Sequence, residues 1–243
     1  MEHNGKILGV IGGLGPLSTA RFMELVVNMT DAKTDQENVD MIVYNFPSIP
    51  DRSGYILGYY RKSPLHGLTY VGKALEQQQV DLIAIPCMTA HYFYEELTAR
   101  IGVPIIDAIE ETVLHLKSMG IQKAGIMATE GTVSSGLFSN ALIGQGIIPI
   151  TPSTERQADI SHLIYQNIKA GQPPEMERFD VVANQLRSRG AEVIILGCTE
   201  LSLIKRDYHL GPGYLDAMEV LAQQSVIRCG KSLKEKYRCL ISR

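Results

Sequence analysis

One nine-residue pattern occurs twice in this chain: Asp-Leu-Ile-Ala-Ile-Pro-Cys-Met-Thr from Asp81 to Thr89, and Glu-Val-Ile-Ile-Leu-Gly-Cys-Thr-Glu from Glu192 to Glu200. In each copy an acidic residue is followed by four apolar ones, and a Pro or Gly then breaks the run just before a cysteine. An unbroken apolar run of this length is what a parallel strand looks like when both its faces are covered. The copies therefore predict two central strands of parallel α/β sheets. In such sheets the functional side chains project from the carboxyl ends of the strands, which is where Cys87 and Cys198 stand.

The rest of the chain alternates in the same sense. Strands are predicted at Ile7 to Ile11, Met41 to Asn45, Leu82 to Ile85 and Val103 to Ile106, then at Lys123 to Ala128, Ile147 to Thr151 and Val193 to Leu196. Helices are predicted from Pro16, over Leu65 to Gln79, Thr89 to Arg100, Ala108 to Met119, Leu137 to Ile143, Ser153 to Ala170 and Met176 to Arg189, with a last one of about twenty residues from near Leu215 to Glu235. Thr129 to Thr132 reads as a turn, and the Pro-, Gly- and Tyr-rich stretch from Phe46 to Pro64 as a substrate loop or lid. Strand and helix in alternation specify a parallel α/β fold. Three features recur in the same order about 110 residues apart: the strand-end cysteines, the Asp107-Ala-Ile-Glu110 and Asp216-Ala-Met-Glu219 segments, and the glycine strands Gly9-Val-Ile-Gly and Gly125-Ile-Met-Ala. The expectation is two α/β lobes related by a pseudo-twofold axis, residues 1–107 with 214–243 and residues 108–213, with the active site in the cleft between them.

Composition narrows the function. Hydrophobic residues make up 45% and charged residues 20%, and the net charge is -3, so no basic surplus exists to hold nucleic acid. The apolar run before Gly12-Gly13 is too short for a signal peptide or a membrane span, which predicts a cytoplasmic protein with no membrane partner. Four cysteines without C-x-x-C spacing argue for free thiols rather than a disulfide framework or a zinc ribbon. The glycine turn Gly12-Gly13-x-Gly15-Pro16 is not G-x-G-x-x-G, and it predicts a loop offering N–H groups to a small anion rather than a dinucleotide.

A lone cysteine after an apolar strand is most often a small buried hydrophobe; a facing pair is different. Each cysteine lies between a strand and the N-terminus of the next helix, where free N–H groups and the dipole are expected to lower a thiol pKa. Two acid/base groups on opposite faces of one carbon suit stereoinversion, one thiolate removing the α-proton while the other thiol delivers one from behind. Helix N-termini aimed at the cleft supply donors for the resulting carbanion.

At this point the motifs Gly9-Val-Ile-Gly-Gly-Leu-Gly-Pro16, Ile49-Pro-Asp-Arg52, Pro86-Cys87-x-Thr89-Ala-His91, Ile106-Asp107-Ala-Ile-Glu110, Gly131-Thr132-x-x-Ser135-Gly-Leu-Phe138 and Gly197-Cys198-Thr199-Glu200-Leu201 converge. The sequence resembles the cofactor-independent aspartate/glutamate racemase family over nearly its whole length, and within it the aspartate racemase branch, because Glu200 stands where glutamate racemases carry a histidine. The resemblance implies racemisation of a small amino acid between Cys87 and Cys198, without pyridoxal phosphate or metal, in a homodimer. It also implies that Thr89, Thr132 and Thr199 hold the α-carboxylate or amino group, and that Arg52 and Lys169 are the cations for a side-chain carboxylate; Lys169 reads equally as a cation of a helix C-terminal turn. One position departs from the family. Met88 stands where an Asn amide is usual, and a thioether is no amide donor. A neighbouring group then takes over that contact, or the substrate is not a simple acidic amino acid, or activity is weak.

Several residues have two readings. His91, one helical turn beyond Cys87, orients the thiol or caps a helix. Glu200 and Asp107 tune the cysteines or are ordinary acids of a first turn. Cys229 and Cys239 read as structural, and Tyr55, Tyr59 and Tyr60 as loop or dimer packing. Two alternatives keep the same scaffold: a racemase of neutral or basic amino acids or another carbanion-forming enzyme such as a decarboxylase, and a non-catalytic module that closes on an amino acid.

Overall fold

The computed structural model describes residues 5–242. The first half runs β1 (Leu8–Gly12), α1 (Pro16–Met29), β2 (Met41–Asn45), α2 (Arg52–Ile56), α3 (Leu65–Gln77), β3 (Leu82–Ala84), a 3-10 turn Met88–Phe93, α4 (Tyr94–Thr98) and α5 (Ala108–Ser118). The second runs β4 (Lys123–Met127), α6 (Glu130–Ser134), α7 (Leu137–Gly144), β5 (Ile148–Ile150), α8 (Thr154–His162), a π-turn Leu163–Ile168, α9 (Met176–Ser188), β6 (Val193–Leu196), α10 (Thr199–Asp207), β7 (Tyr214–Asp216) and α11 (Ala217–Arg228). Among the described residues every pairing between these strands is parallel, and one isolated antiparallel bridge joins Thr30 to Leu233.

The duplication in the sequence is a duplication of topology. One sheet has the order β2-β1-β3 and the other β5-β4-β6-β7. Ile105 bridges Ile83 beside β3, in the place that β7 takes beside β6. The two cysteine strands are thus equivalent, each next to the opening strand of its half and buried along its whole length. The acids of the second recurring pair are equivalent too. Asp107 caps α5 by accepting from the N–H groups of Ile109 and Glu110, and Asp216 caps α11 by accepting from that of Met218.

Among the described residues the buried apolar side chains form three clusters. The largest lies between the sheets, where Phe22 and Val26 of α1, Val113 of α5, Leu142 of α7 and Leu221 of α11 meet Val10, Ala84, Ile126 and Ile195 of the strands. The other two cover the outer faces, α3 and α4 packing on Ile11 and Ile83, and α8 and α9 on Ile194 and Leu196. With helices on both sides, the strands carry no polar face, which is why they read as unbroken apolar runs.

Some predicted elements change form. The strand expected over Val103 to Ile106 is a single bridge. The last helix is shorter than expected, because Leu215 pairs with Ile195 in β7 and the chain turns left-handed at Gly230 (φ 79°). Ser153 to Ala170 is helical but loosens into the π-turn at Leu163, Thr89 to Arg100 begins as a 3-10 turn, and Thr129 to Thr132 opens α6. The Phe46 to Pro64 stretch is no open loop. Asp51 caps α2 within it, and Arg52, Ser53 and Gly54 are buried. α2 packs on α6 of the other half. A Cβ on Gly131 would come within 2.7 Å of the Ser53 Cα, so only glycine lets these two backbones meet.

Candidate active site

Cys87 follows β3 and Cys198 follows β6, both in extended backbone and both 5% exposed. They line one chamber together with Thr89, Thr129, Tyr165, Thr199 and Glu200. Its free volume is about 10 Å³, roughly the room one water molecule needs. Outside it lies a wider antechamber of about 560 Å³. Asp51, Arg52, Lys169 and Glu200 line both spaces and form the gate between them.

The two thiols have opposite neighbours. Cys198 donates to the Glu200 carboxylate at 2.9 Å, and the Thr199 hydroxyl donates to the same oxygen at 3.3 Å. Burial and the Glu200 charge push the Cys198 thiol well above its ordinary pKa, against the pull of Lys169. The lowering expected from the N-terminus of α10 is therefore overridden: at this position desolvation and a carboxylate outweigh the dipole. Cys87 faces a cation instead. Burial works against the Arg52 charge, but Cys87 and Asp51 hold the guanidinium above its usual range. Arg52 is 7% exposed and anchored by donation to the carbonyls of Leu14 at 3.0 Å, Pro50 at 3.1 Å and Ile49 at 3.4 Å, while its buried Nε has no hydrogen-bond partner.

On the other side of the gate Lys169 ends the π-turn. Its Nζ is 3.8 Å from Glu200 and 4.6 Å above the Tyr165 ring. Burial disfavours the ammonium, yet Glu200 raises it past its ordinary value. Tyr165 is pushed up to about 12 by burial, and its hydroxyl meets Ser53 across the gate. Deeper in, the hydroxyls of Thr89, Thr129 and Thr132 form a triangle with sides of 3.0, 2.9 and 2.9 Å.

Of the residues singled out from the sequence, the fold brings Cys87, Cys198, Arg52, Met88, Thr89, Lys169, Thr199 and Glu200 to the chamber wall. Thr132 backs that wall through the hydroxyl triangle. Met88 lines the chamber and packs into the central core. Three residues lie elsewhere. Gly13 lines the antechamber, and its N–H, expected to face an anion, donates to Thr19 at 2.9 Å; its φ of 89° and the nearness of Phe46 explain the glycine. His91 accepts from the Ala108 N–H through Nε2 at 3.1 Å, so its Nδ1–H donates to the Cys87 carbonyl at 3.1 Å; it ties the strand end to α5 and does not touch the thiol. Asp107 caps α5 beside a separate groove.

Leu14, Asp51, Ser53, Thr129 and Tyr165 also line the chamber and were not singled out. Thr129 had a signal, since it sits three residues before Thr132 at the start of a helix and its hydroxyl accepts the Thr132 N–H at 3.2 Å. Tyr165 shares a face with Lys169 four residues on, but which face turns to the cysteines depends on the π-turn. Among the described residues no group of three or more His, Cys, Asp or Glu is placed to hold a metal, and no helix is long and apolar enough to cross a membrane.

Two parallel sheets of one strand order, each sending a strand-end thiol into a shared chamber, give this α/β protein the plan of a two-half racemase. Residues 11–225 match the Asp/Glu/hydantoin racemase family, and the chain belongs to it. It is 29% identical over 229 residues to the broad specificity amino-acid racemase RacX of Bacillus subtilis (strain 168), covering 90% of this chain and 96% of that one. Among solved structures it is similar to the Picrophilus torridus aspartate racemase, with a TM-score of 0.84 and 31% identity over 97% of this chain and 99% of that one. The glutamate racemase of Francisella tularensis in complex with D-glutamate shares the fold, with a TM-score of 0.63 and 17% identity over 90% of this chain and 79% of that one.

Proposed function

We propose that the protein is an amino-acid racemase that inverts Cα by two-base proton transfer between Cys87 and Cys198. The observation that carries this reading is the pair of thiols on one chamber with opposite partners, Arg52 beside Cys87 and Glu200 beside Cys198. The accepting carboxylate of Glu200 keeps Cys198 a thiol, which suits the acid, and Cys87, facing the Arg52 guanidinium, is assigned as the base. The Cys87 thiolate takes the α-proton, the electron pair passes into the α-carboxylate, and the Cys198 thiol delivers its own proton to the opposite face. The product leaves a Cys87 thiol and a Cys198 thiolate, which the reverse reaction or exchange with solvent resets.

The growing negative charge needs donors. The N–H groups at the N-terminus of α10 suit it, and the hydroxyls of Thr89, Thr129 and Thr199 serve once their protons turn from one another and from Glu200 to the substrate. In this reading no pyridoxal phosphate or metal takes part, the lobes are residues 1–107 with 214–243 and residues 108–213, and the protein acts as a cytoplasmic homodimer. The packing of α11 on α1 supports assigning that helix to the first lobe, while α11 also packs on α5 and β7 pairs in the second sheet.

The test is proton exchange. In deuterated buffer, single amino-acid enantiomers should gain deuterium at Cα as they invert, followed by proton NMR and chiral chromatography. Cys87→Ser and Cys198→Ser should each slow inversion by about 10²–10⁴-fold, the usual worth of a general acid or base. Undiminished inversion in both variants rules out the two-thiol mechanism.

A further inference from the structure

The residue four places beyond each cysteine joins the cysteine's own segment to a later helix, and the two halves do this with different atoms. In the first half His91 donates to the Cys87 carbonyl and accepts the N–H of Ala108, the first residue of α5. In the second half the counterpart is Ser202. It lies one turn inside α10, whose N-cap is Cys198, and its hydroxyl donates to the Asp216 carboxylate at 2.5 Å. The other Asp216 oxygen accepts the Met218 N–H at 2.9 Å and caps α11. Asp216 is fixed in the sheet as well, since it pairs with Leu196 of β6, two residues before Cys198. A ring of β6, β7, Asp216, Ser202 and α10 thus closes on the cysteine. Three residues further along, Lys205 and Glu219 join α10 to α11 again at 2.7 Å.

Capping alone does not call for this arrangement. Asp107, at the same place in the first half, caps α5 from a half-buried position with both its bonds in the cap. Asp216 and Ser202 are fully buried. Burial pushes the Asp216 carboxyl above its ordinary range, and Lys205 and the Ser202 hydroxyl offset only part of that. A charge buried in this way contributes little net stability, and its better-attested use is to fix one arrangement of the parts it joins. The part fixed here is the first turn of α10, which carries Cys198, Thr199 and Glu200.

In a two-thiol inversion Cα must lie between the sulfurs, and moving one of them by about 1 Å costs on the order of 10²-fold in rate. Resting on the racemase reading, we infer that Ser202, held by Asp216, is the positioning residue of Cys198, and that His91 is the positioning residue of Cys87.

Alkylation by iodoacetamide, with the Cys87 and Cys198 peptides quantified separately by mass spectrometry, tests the placement without any substrate. Ser202→Ala should change the Cys198 rate by about threefold or more and leave the Cys87 rate as it was, and His91→Phe should do the reverse. Leu221→Ala, a core variant that removes neither contact, controls for lost stability and should leave the two rates in their wild-type ratio. With the Cα-deuterated enantiomers of aspartate, glutamate and alanine, Ser202→Ala should lower kcat about tenfold or more with KM nearly unchanged. A misplaced Cys198 makes its own proton removal the slow step. The deuterium isotope effect should therefore rise for one enantiomer only, the same one as in Cys198→Ser, and His91→Phe should raise it for the other. Wild-type alkylation or wild-type isotope effects in variants shown by melting temperature to be folded, or an equal change in Leu221→Ala, overturn the assignment and leave the racemase reading standing. Exchange of no amino acid overturns the racemase reading, and the alkylation rates alone then decide whether the two contacts place the thiols.

Discussion

At the scale of single residues, Glu200 is the group that decides the state of Cys198. Its carboxylate accepts the thiol proton and, with burial, lifts the Cys198 pKa well above the ordinary thiol value. The sign of the effect on stability follows. A thiol in the unfolded chain ionises near pH 8.5, roughly, while the folded one stays protonated. The folded state then binds more protons than the unfolded, so this contribution is complete below that pH and is lost as pH rises toward the folded value. Glu200→Gln removes the charge but not the burial, and should move Cys198 ionisation to lower pH. Alkylation of the Cys198 peptide by iodoacetamide, followed against pH by mass spectrometry, reads the shift; an unmoved profile would show that burial alone holds the proton. The two cysteines were legible because each ends an apolar run. Tyr165 and Asp51 were not, since nothing near them in the chain points to a thiol.

At the scale of elements, helices with a full apolar period were easy to read, such as α3 with its buried Leu68, Val71 and Leu75. The short ones were not. α2 and α6 have five residues each and no complete period, and isolated segments of that length do not hold as helices in water. Caps and tertiary contacts hold them, yet they carry Arg52 and Thr132. Asp107 illustrates how an acid near a site can serve its element instead. Both its hydrogen bonds go to the N-terminus of α5. Asp107→Ala should cost about 1 kcal/mol of stability in urea denaturation, and Asp107→Ser, which can still cap, should recover most of it. Equal losses in both variants would place the role of Asp107 outside the cap.

At the scale of the whole molecule, the two sheets share their largest apolar cluster, with α5 and α11 joined further by the Glu111–Arg228 ion pair. Neither half can expose that face without unfolding the other's helices. Leu221, fully buried in the cluster, is a direct probe: Leu221→Ala should lower stability by about 2–5 kcal/mol and leave a single transition, seen together by far-ultraviolet and near-ultraviolet circular dichroism. Two separated transitions would mean that the halves fold independently.

The sequence by itself determined the parallel α/β plan, the duplication, the two thiol-bearing strand ends and the family, because apolar runs, turn residues and motifs are written in neighbouring positions. Only the tertiary structure decided what surrounds each thiol. The gate joins Asp51 and Arg52 to Lys169 and Glu200, residues more than a hundred positions apart, and such contacts leave no periodic trace in the chain. The opposed neighbours of Cys87 and Cys198, the tight chamber and the antechamber all arise from that juxtaposition.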